Sequence, residues 1–567
     1  MRTTAFLGNV PVLSGLPDEL LERLAGQVND VHVRAGAWIM REGEPADNMF
    51  IVRAGRIEVI EEGPPEALIR VLRRGDVLGE LALLREEKRS LSARARHDAD
   101  LVELGRAQFE ALIQEAPGFA LGLTRALGER LAVSRTPVIA ATPPRTMAVV
   151  GLDPGAPAAQ VAEALADGMS PYGPVARLAG GELAAIDQAE RDAERVVLHG
   201  GNDPADEWTE LCAREADLVV AVTTGMPDAG WLRKPTALHG CELLVLGPSV
   251  TESMLDLLQP REVQIIAQRS RHRKALEQTA RRIAGRALGI VLSGGGARAF
   301  AHLGVLEELR EAGLQFDRVA GVSMGSLVAA AMAAGFSPGE TFAAFRRGFV
   351  DTNPSNDFGL PVYSLIRGAK TRRLLREAFG ERRIEELPLR FFSMSCDLVA
   401  RETVLHRTGP VADAVYASLA IPGVFPPVAT NGRLLVDGGV LDNLPVGAMA
   451  RTGEGPVIAV DVTGRTGSFR HRERPAIGRI GRAVRRVLTG SEAEIPRLGE
   501  TIMRSVTAGS IDTVAAARLH SDLVITPQVE RVGLTDWKAF SRVVELGRQA
   551  AREALEASPE LRHRLGG

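Results

Sequence analysis

Two strand–glycine turn–helix units stand in succession between residues 287 and 336, and this doublet constrains the fold more than any other stretch of the chain. ALGIVLSGGGARAFAHLGVLEELREAG (287–313) reads as a buried strand, a glycine loop and a helix. FDRVAGVSMGSLVAAAMAAGF (316–336) repeats the plan with a tight turn and an apolar helix. Parallel strands can be joined only by a crossover, usually helical, so consecutive units of this kind require a parallel sheet. A last apolar run, DLVITP (522–527), and the helical pattern AFSRVVELGRQAAREALEA (539–557) complete an α/β unit.

The 567 residues exceed the ~100–200 of one ordinary domain, so further folded units must precede it. Between 31 and 106, short apolar runs are punctuated by Gly36, Gly43, Gly55, Gly75 and Gly79, the spacing of an all-β barrel or sandwich. Helical patterns flank it at LPDELLERLA (16–25) and AQFEALIQEAPGFALGLTRALGERLAV (107–133), and the proline-rich TPVIAATPPR (136–145) reads as a linker. A second unit runs from TMAVVGLDPG (146–155) to about 275, with strands RVVLHG (195–200), DLVVAVT (217–223) and CELLVLG (241–247) alternating with helical segments. GLDPGAPAAQ holds the place of a phosphate-binding loop but lacks its Gly-Lys-Ser/Thr, which points to a structural or docking domain.

A net charge of −3 with 25% charged residues offers no footprint for nucleic acid. Three scattered cysteines, Cys212, Cys241 and Cys396, exclude a disulfide framework and a CxxC metal site and fit a reducing compartment. With no signal-like start and no run of ~18 uncharged apolar residues, a cytoplasmic protein is expected, with contact at the inner face of the membrane only as a peripheral one.

Gly294-Gly295-Gly296-Ala297-Arg298-Ala299 fits both an oxyanion loop and the G-x-G-x-x-A of a dinucleotide fold. The second reading needs an acid closing the next strand, and Asp317 precedes that strand instead. At the strand's end stands Gly321-Val322-Ser323-Met324-Gly325, the G-x-S-x-G of a nucleophile elbow, whose glycines admit a strained serine between strand and helix. For its base, His406, His471 and His520 lie outside any glycine-rich strand end, whereas Asp437 in RLLVDGGVLDNLPV (433–446) ends an apolar strand before two glycines. Asp442 reads as a turn acid, and His302 as a helix packing group.

SGGGAR, AHLGVL, GVSMG, SLAIPGVFPPV (418–428) and VDGG together resemble the patatin-like phospholipase family over about 288–450, with 451–567 completing the domain. The resemblance implies a Ser323–Asp437 dyad without histidine, an oxyanion hole from the Gly294, Gly295 and Gly296 amides, and Arg298 supporting that loop. No metal or organic cofactor is implied for catalysis.

MREGEPADNMFIVRAGRIEVI (40–60) followed by GELALLREEKRSLSARARHDADLVEL resembles the cyclic-nucleotide-binding domain over about 10–133. It implies a site at Gly79, Glu80, Leu81, Arg89 and Ser90, with Glu80 on the ribose, Arg89 on the cyclic phosphate, and cyclic AMP or cyclic GMP as effector. The domain order, with DEWTELCAREADLVVAV (206–222) between, resembles the neuropathy target esterase group and implies phospholipid or lysophospholipid substrates.

The expected whole is therefore multidomain: an N-terminal β-barrel with flanking helices, a middle α/β domain at 146–275 and a patatin-like α/β domain with a mainly parallel sheet. RHRERPAIGRIGRAVRRVL (470–488) carries seven arginines among apolar residues, as a helix meeting anionic lipid would. The rival function is a cyclic-nucleotide-responsive binding protein with a vestigial hydrolase domain, and oligomeric state is left open.

Overall fold

The computed structural model describes residues 3–13, 15–62, 67–85, 88–96, 98–116, 118–120, 122–124, 143–233, 238–352, 356–359, 364–463 and 511–559. The basic segment 470–488, His471 and most of the 136–145 linker lie outside the described residues. The chain divides into two compact units, one of Met1–Arg286 with Arg451–Glu454 and the other of Ala287–Ala450 with Gly455–Gly567.

The first unit holds the barrel and the middle domain. Eight antiparallel strands, β1 (Asn29–Val33), β2 (Trp38–Met40), β3 (Asn48–Ala54), β4 (Ile57–Glu61), β5 (Ala67–Leu72), β6 (Val77–Leu78), β7 (Ser92–Ala95) and β8 (Ala99–Gly105), form two sheets ordered β1-β8-β3-β6 and β2-β7-β4-β5. The five glycines read as turns all take φ between 77° and 87°, a region closed to most side chains. Helices Thr3–Gly8, Asp18–Ala25 and Arg106–Glu115 cover one side through Leu7, Leu21, Leu24, Phe109 and Leu112.

In the middle domain β9 (Thr146–Gly151), β10 (Val175–Leu178), β11 (Arg195–Gly201), β12 (Leu218–Thr223), β13 (Glu242–Val245) and β14 (Glu262–Ile265) form an all-parallel sheet ordered β10-β11-β9-β12-β13-β14. The last helix, Arg269–Ile283, runs beyond the expected limit near 275. In the loop after β9, the Asp153 carboxylate accepts from the amides of Gly155 (3.0 Å) and Thr224 (2.8 Å) and from the hydroxyls of Thr223 and Thr224 (both 2.8 Å). A resident carboxylate thus takes the donors that a bound phosphate would need, in keeping with a loop that lacks the phosphate-binding lysine.

Barrel and middle domain meet over a buried ionic cluster. Arg56, fully enclosed, reaches Asp217 (2.9 Å), Glu190 (2.9 Å) and Glu215 (3.2 Å), while Arg73 grips Asp217 at 2.6 Å and the Arg96 guanidinium donates to the Asp217 carbonyl at 2.7 Å. Burial works against the Arg56 cation, but Asp217, Glu215 and Glu190 outweigh it and raise its pKa. Among these residues the barrel contributes the cations and the middle domain the carboxylates, so the match is one of sign as well as shape.

The second unit carries β15 (Gly289–Leu292), β16 (Arg318–Val322), β17 (Arg390–Asp397), β18 (Glu402–His406), β19 (Val428–Thr430), β20 (Arg433–Asp437), β21 (Val457–Val460) and β22 (Leu523–Ile525). The path β19-β20-β17-β16-β15-β21-β22, with β18 also on β17, is parallel from β17 to β22 and antiparallel at the β18–β20 end. Both sequence doublets fold as read, β15 leading into helix Ala301–Glu311 and β16 into helix Met324–Ala333. Phe300, fully buried, gathers Phe345, Phe349, Trp537 and Phe540 edge-on at 4.7–6.4 Å and fixes the helix that follows the glycine loop. Among the described residues no helix is long and apolar enough to cross a membrane.

Candidate active site and ligand cassette

Ser323 sits between β16 and helix Met324–Ala333 at φ 53° and ψ −130°, a conformation that side chains rarely adopt. The turn is possible because Gly321 and Gly325 close on each other. A Cβ on Gly321 would stand 2.5 Å from the Gly325 carbonyl carbon, and one on Gly325 2.4 Å from the Leu292 oxygen. This is the elbow geometry expected of G-x-S-x-G.

Pairing along β17 shows how a carboxylate reaches that serine. Ser393 and Met394 pair with both β16 and β18, while Ser395 to Asp397 pair with both β18 and β20. β18 therefore takes one edge of β17, and β16 and β20 share the other, running toward each other. β16 ends with Val322 opposite Met394, and β20 ends with Asp437 opposite Ser395. The two strands meet head to head, so Ser323 and Asp437 face each other across the junction. Gly438 carries the chain over the Met394 carbonyl, where a Cβ would lie 2.5 Å from that oxygen.

Asp437 is enclosed, and burial pushes its carboxyl up to about 6, against the lowering influence of the Ser323 hydroxyl and the Gly439 amide. The Gly439 N–H donates to Oδ1 at 2.8 Å, and Oδ2 has no full hydrogen bond. The serine hydroxyl thus favours the charged carboxylate. No histidine hydrogen-bonds Ser323 or Asp437 among the described residues. His302 Nε2 lies 2.9 Å from the Ser293 carbonyl and His406 Nε2 lies 2.7 Å from Ser395 Oγ; burial lowers both rings to about 4, so they are neutral.

The glycine loop lies beside the elbow, a Cβ on Gly294 standing 3.0 Å from Ser323 Cβ. The Gly294 amide makes a long 3.4 Å bond to the Asn443 carbonyl, whereas the Gly295 and Gly296 amides have no acceptor among the described residues. Arg298 anchors the loop by donating to the carbonyls of Val532 (2.8 Å), Thr463 (2.9 Å) and Glu530 (3.4 Å).

In the barrel, Gly79 and buried Glu80 begin the helix Glu80–Arg85 straight after β6. Arg89 returns to this point, donating to the carbonyls of Gly79 (3.0 Å) and Asn48 (2.8 Å) and to Asn48 Oδ1 (2.6 Å). Burial lowers the Arg89 pKa, while Glu44, Asp47 and Glu80 act in the other direction. Glu80 and Arg89 are thus brought together, whereas Leu81 and Ser90 are exposed.

Residues 290–450 match the family model for patatin-like phospholipases, and residues 30–116 match that for the cyclic nucleotide-binding domain. An uncharacterized NTE family protein of Mycobacterium tuberculosis is 34% identical over 98% of this chain and 97% of its own length. The chain belongs to the NTE family. Among more distant members, lysophospholipase nte1 of Emericella nidulans is 24% identical over 96% of this chain and 43% of its own. The human patatin-like phospholipase domain-containing protein 6 is 27% identical over 76% of this chain and 37% of its own. This NTE family member keeps both halves of the sequence reading, a patatin-like unit and a cyclic nucleotide-binding domain.

Three residues of the patatin-like site escaped that reading. Ser418 and Ala420 lie inside SLAIPGVFPPV, which carries the family resemblance, and Asn443 follows VDGG within RLLVDGGVLDNLPV, but single-sequence spacing gives no hint that their polar groups turn inward. Asn443 Nδ2 donates to the Gly294 carbonyl at 3.2 Å, and its Oδ1 would lie 2.8 Å from a Cβ on Gly439, so it spans the glycine loop and the Asp437 turn.

Proposed function

We propose that the chain hydrolyses acyl esters of phospholipids or lysophospholipids, with Ser323 as nucleophile and Asp437 as general base. What carries this reading is the head-to-head meeting of β16 and β20, which sets a strained serine against a buried carboxylate. Asp437 takes the Ser323 proton as Oγ bonds the acyl carbon, and the Gly295 and Gly296 amides, with Gly294 beside them, receive the oxyanion. The C–O bond to the alcohol then breaks and Asp437 returns the proton to the leaving oxygen. In the second half, Asp437 takes a proton from water as its oxygen bonds the acyl carbon; the acyl C–Oγ bond then breaks, the fatty acid leaves and Asp437 returns the proton to Ser323 Oγ. The activity named for the Emericella relative supports a lysophospholipid as substrate.

Glu80 and Arg89 form the second site of this reading, a pocket for cyclic AMP or cyclic GMP acting as effector in a cytoplasmic enzyme that meets lipid peripherally. The test is fatty-acid release from a panel of lysophospholipids, phospholipids and short esters, together with labelling by a fluorophosphonate. Release and labelling should both vanish in Ser323→Ala; equal labelling of wild type and variant refutes the dyad and favours a vestigial domain.

A further inference from the structure

Where two strands end head to head on one edge, the ladder is interrupted, and the amides and carbonyls at the break need partners from elsewhere. At this junction all three come from the end of a single helix, Val411–Leu419, and the residue after it. The Ser323 amide donates to Ser418 Oγ at 2.9 Å, Ser418 Oγ donates to the Met394 carbonyl at 2.7 Å, and the Asp437 amide donates to the Ala420 carbonyl at 2.9 Å. Met394 is the β17 residue opposite the last residue of β16, so one hydroxyl closes the gap that the two strands leave. Ser418 has no exposed surface.

We propose that Ser418 is a positioning residue for catalysis: its hydroxyl fixes the backbone of Ser323 while the adjoining carbonyl of Ala420 fixes Asp437, so that the turn 418–420 sets the spacing of nucleophile and base. The serine needs such a brace because its φ of 53° is held only by what surrounds it. Without the hydroxyl, the Ser323 amide is left as a buried unpaired donor, and the elbow relieves this by relaxing, which carries Oγ away from Asp437. Because the Ser418 hydroxyl is spent on the Ser323 amide and the Met394 carbonyl, its loss is expected to act on kcat and not on acyl-chain binding.

The inference rests on the dyad reading of Ser323 and Asp437, and wild-type enzyme tests that separately. If wild type neither hydrolyses p-nitrophenyl butyrate nor takes a fluorophosphonate on Ser323, the dyad itself is wrong. With an active wild type, Ser418→Ala should lower kcat by about a hundredfold, the scale of a 1 Å misplacement, with KM changed less than about twofold. Fluorophosphonate labelling should slow in parallel. Ser418→Thr, which keeps the hydroxyl, should recover much of the loss. Ser418→Cys, close in size but a weak hydrogen-bonding partner, should fall between, and carries the same test if the alanine variant does not fold. The acid limb of the pH profile should move upward in Ser418→Ala, because a displaced Ser323 no longer lowers the Asp437 pKa. A folded Ser418→Ala or Ser418→Cys enzyme with kcat within threefold of wild type, or with its loss confined to KM, overturns the proposal.

Discussion

Replacing Asp437 by Asn should abolish turnover and at the same time stabilise the patatin-like unit above pH 6. The carboxyl is fully enclosed and is raised from an ordinary 3.8 to about 6, chiefly by desolvation. A rise of about 2.2 pH units at about 1.4 kcal/mol each means that holding the charge in the fold costs ~3 kcal/mol once the group is ionised. The sign follows from the direction. With the folded pKa above the unfolded one, stability is greatest below pH 3.8 and is lost as pH climbs through about 6. The amide has no such titration. Urea unfolding of wild type and Asp437→Asn at several pH values should therefore agree near pH 4 and diverge to ~3 kcal/mol in favour of the variant by pH 7. Activity of the wild type should drop tenfold for each pH unit below about 6. An Asp437→Asn protein no more stable than wild type at pH 8, or a gap that does not close toward pH 4, refutes the desolvated carboxylate. Retention of more than about a tenth of activity points to another base.

Arg298→Met, which frees the glycine loop from three carbonyls, should reduce kcat about 10²-fold, and Arg298→Lys should not restore it because a lysine cannot span the same fork. Steady-state kinetics on a short ester decides this. Calorimetric titration with cyclic AMP and cyclic GMP should detect binding in wild type and none in Arg89→Ala; equal binding by the two proteins would remove Arg89 from the pocket. Arg56→Met should destabilise the first unit by about 3–5 kcal/mol, since it leaves the buried Glu215 and Asp217, and the partly buried Glu190, short of their central cation. A denaturation midpoint unchanged from wild type would show that the cluster tolerates its loss.

Both strand–turn–helix doublets, the barrel glycines and the Ser323 elbow were legible in the sequence because each is local: a run of apolar residues and a glycine whose backbone needs are met within a few positions. Asp437 could be nominated from a strand end and two glycines, but not its meeting with Ser323. That depends on β18 occupying the far edge of β17, a pairing set by tertiary register and invisible to periodicity. Short strands such as β10, β14 and β19, three or four residues long, carry too little pattern to stand out. The junction of barrel and middle domain was equally hidden, because Arg56, Arg73, Glu190, Glu215 and Asp217 read singly as ordinary surface charges. Only their convergence encloses Arg56, Glu215 and Asp217.

On the proposed reading, the shared edge of β17 also accounts for a serine nucleophile served without a histidine. A histidine base needs a third group to fix its tautomer and aim its ring. Asp437 is placed by backbone groups alone: its position at the end of β20 is set by the bond to the Ala420 carbonyl, and the Gly439 amide orients the carboxylate through Oδ1, leaving Oδ2 without a full hydrogen bond. The disadvantage of a carboxylate is low basicity, and the junction corrects that as well. Enclosure raises Asp437 to about 6, near the pKa of an imidazole, while the neighbours that favour its charge are the Ser323 hydroxyl, which on the proposed reading it deprotonates, and the Gly439 amide. Aim and basicity thus come from one feature of topology, two strands ending face to face in a dry sheet edge. The requirement for Gly438 follows from the same feature, because only a residue without a side chain can carry the chain across Met394 at that point.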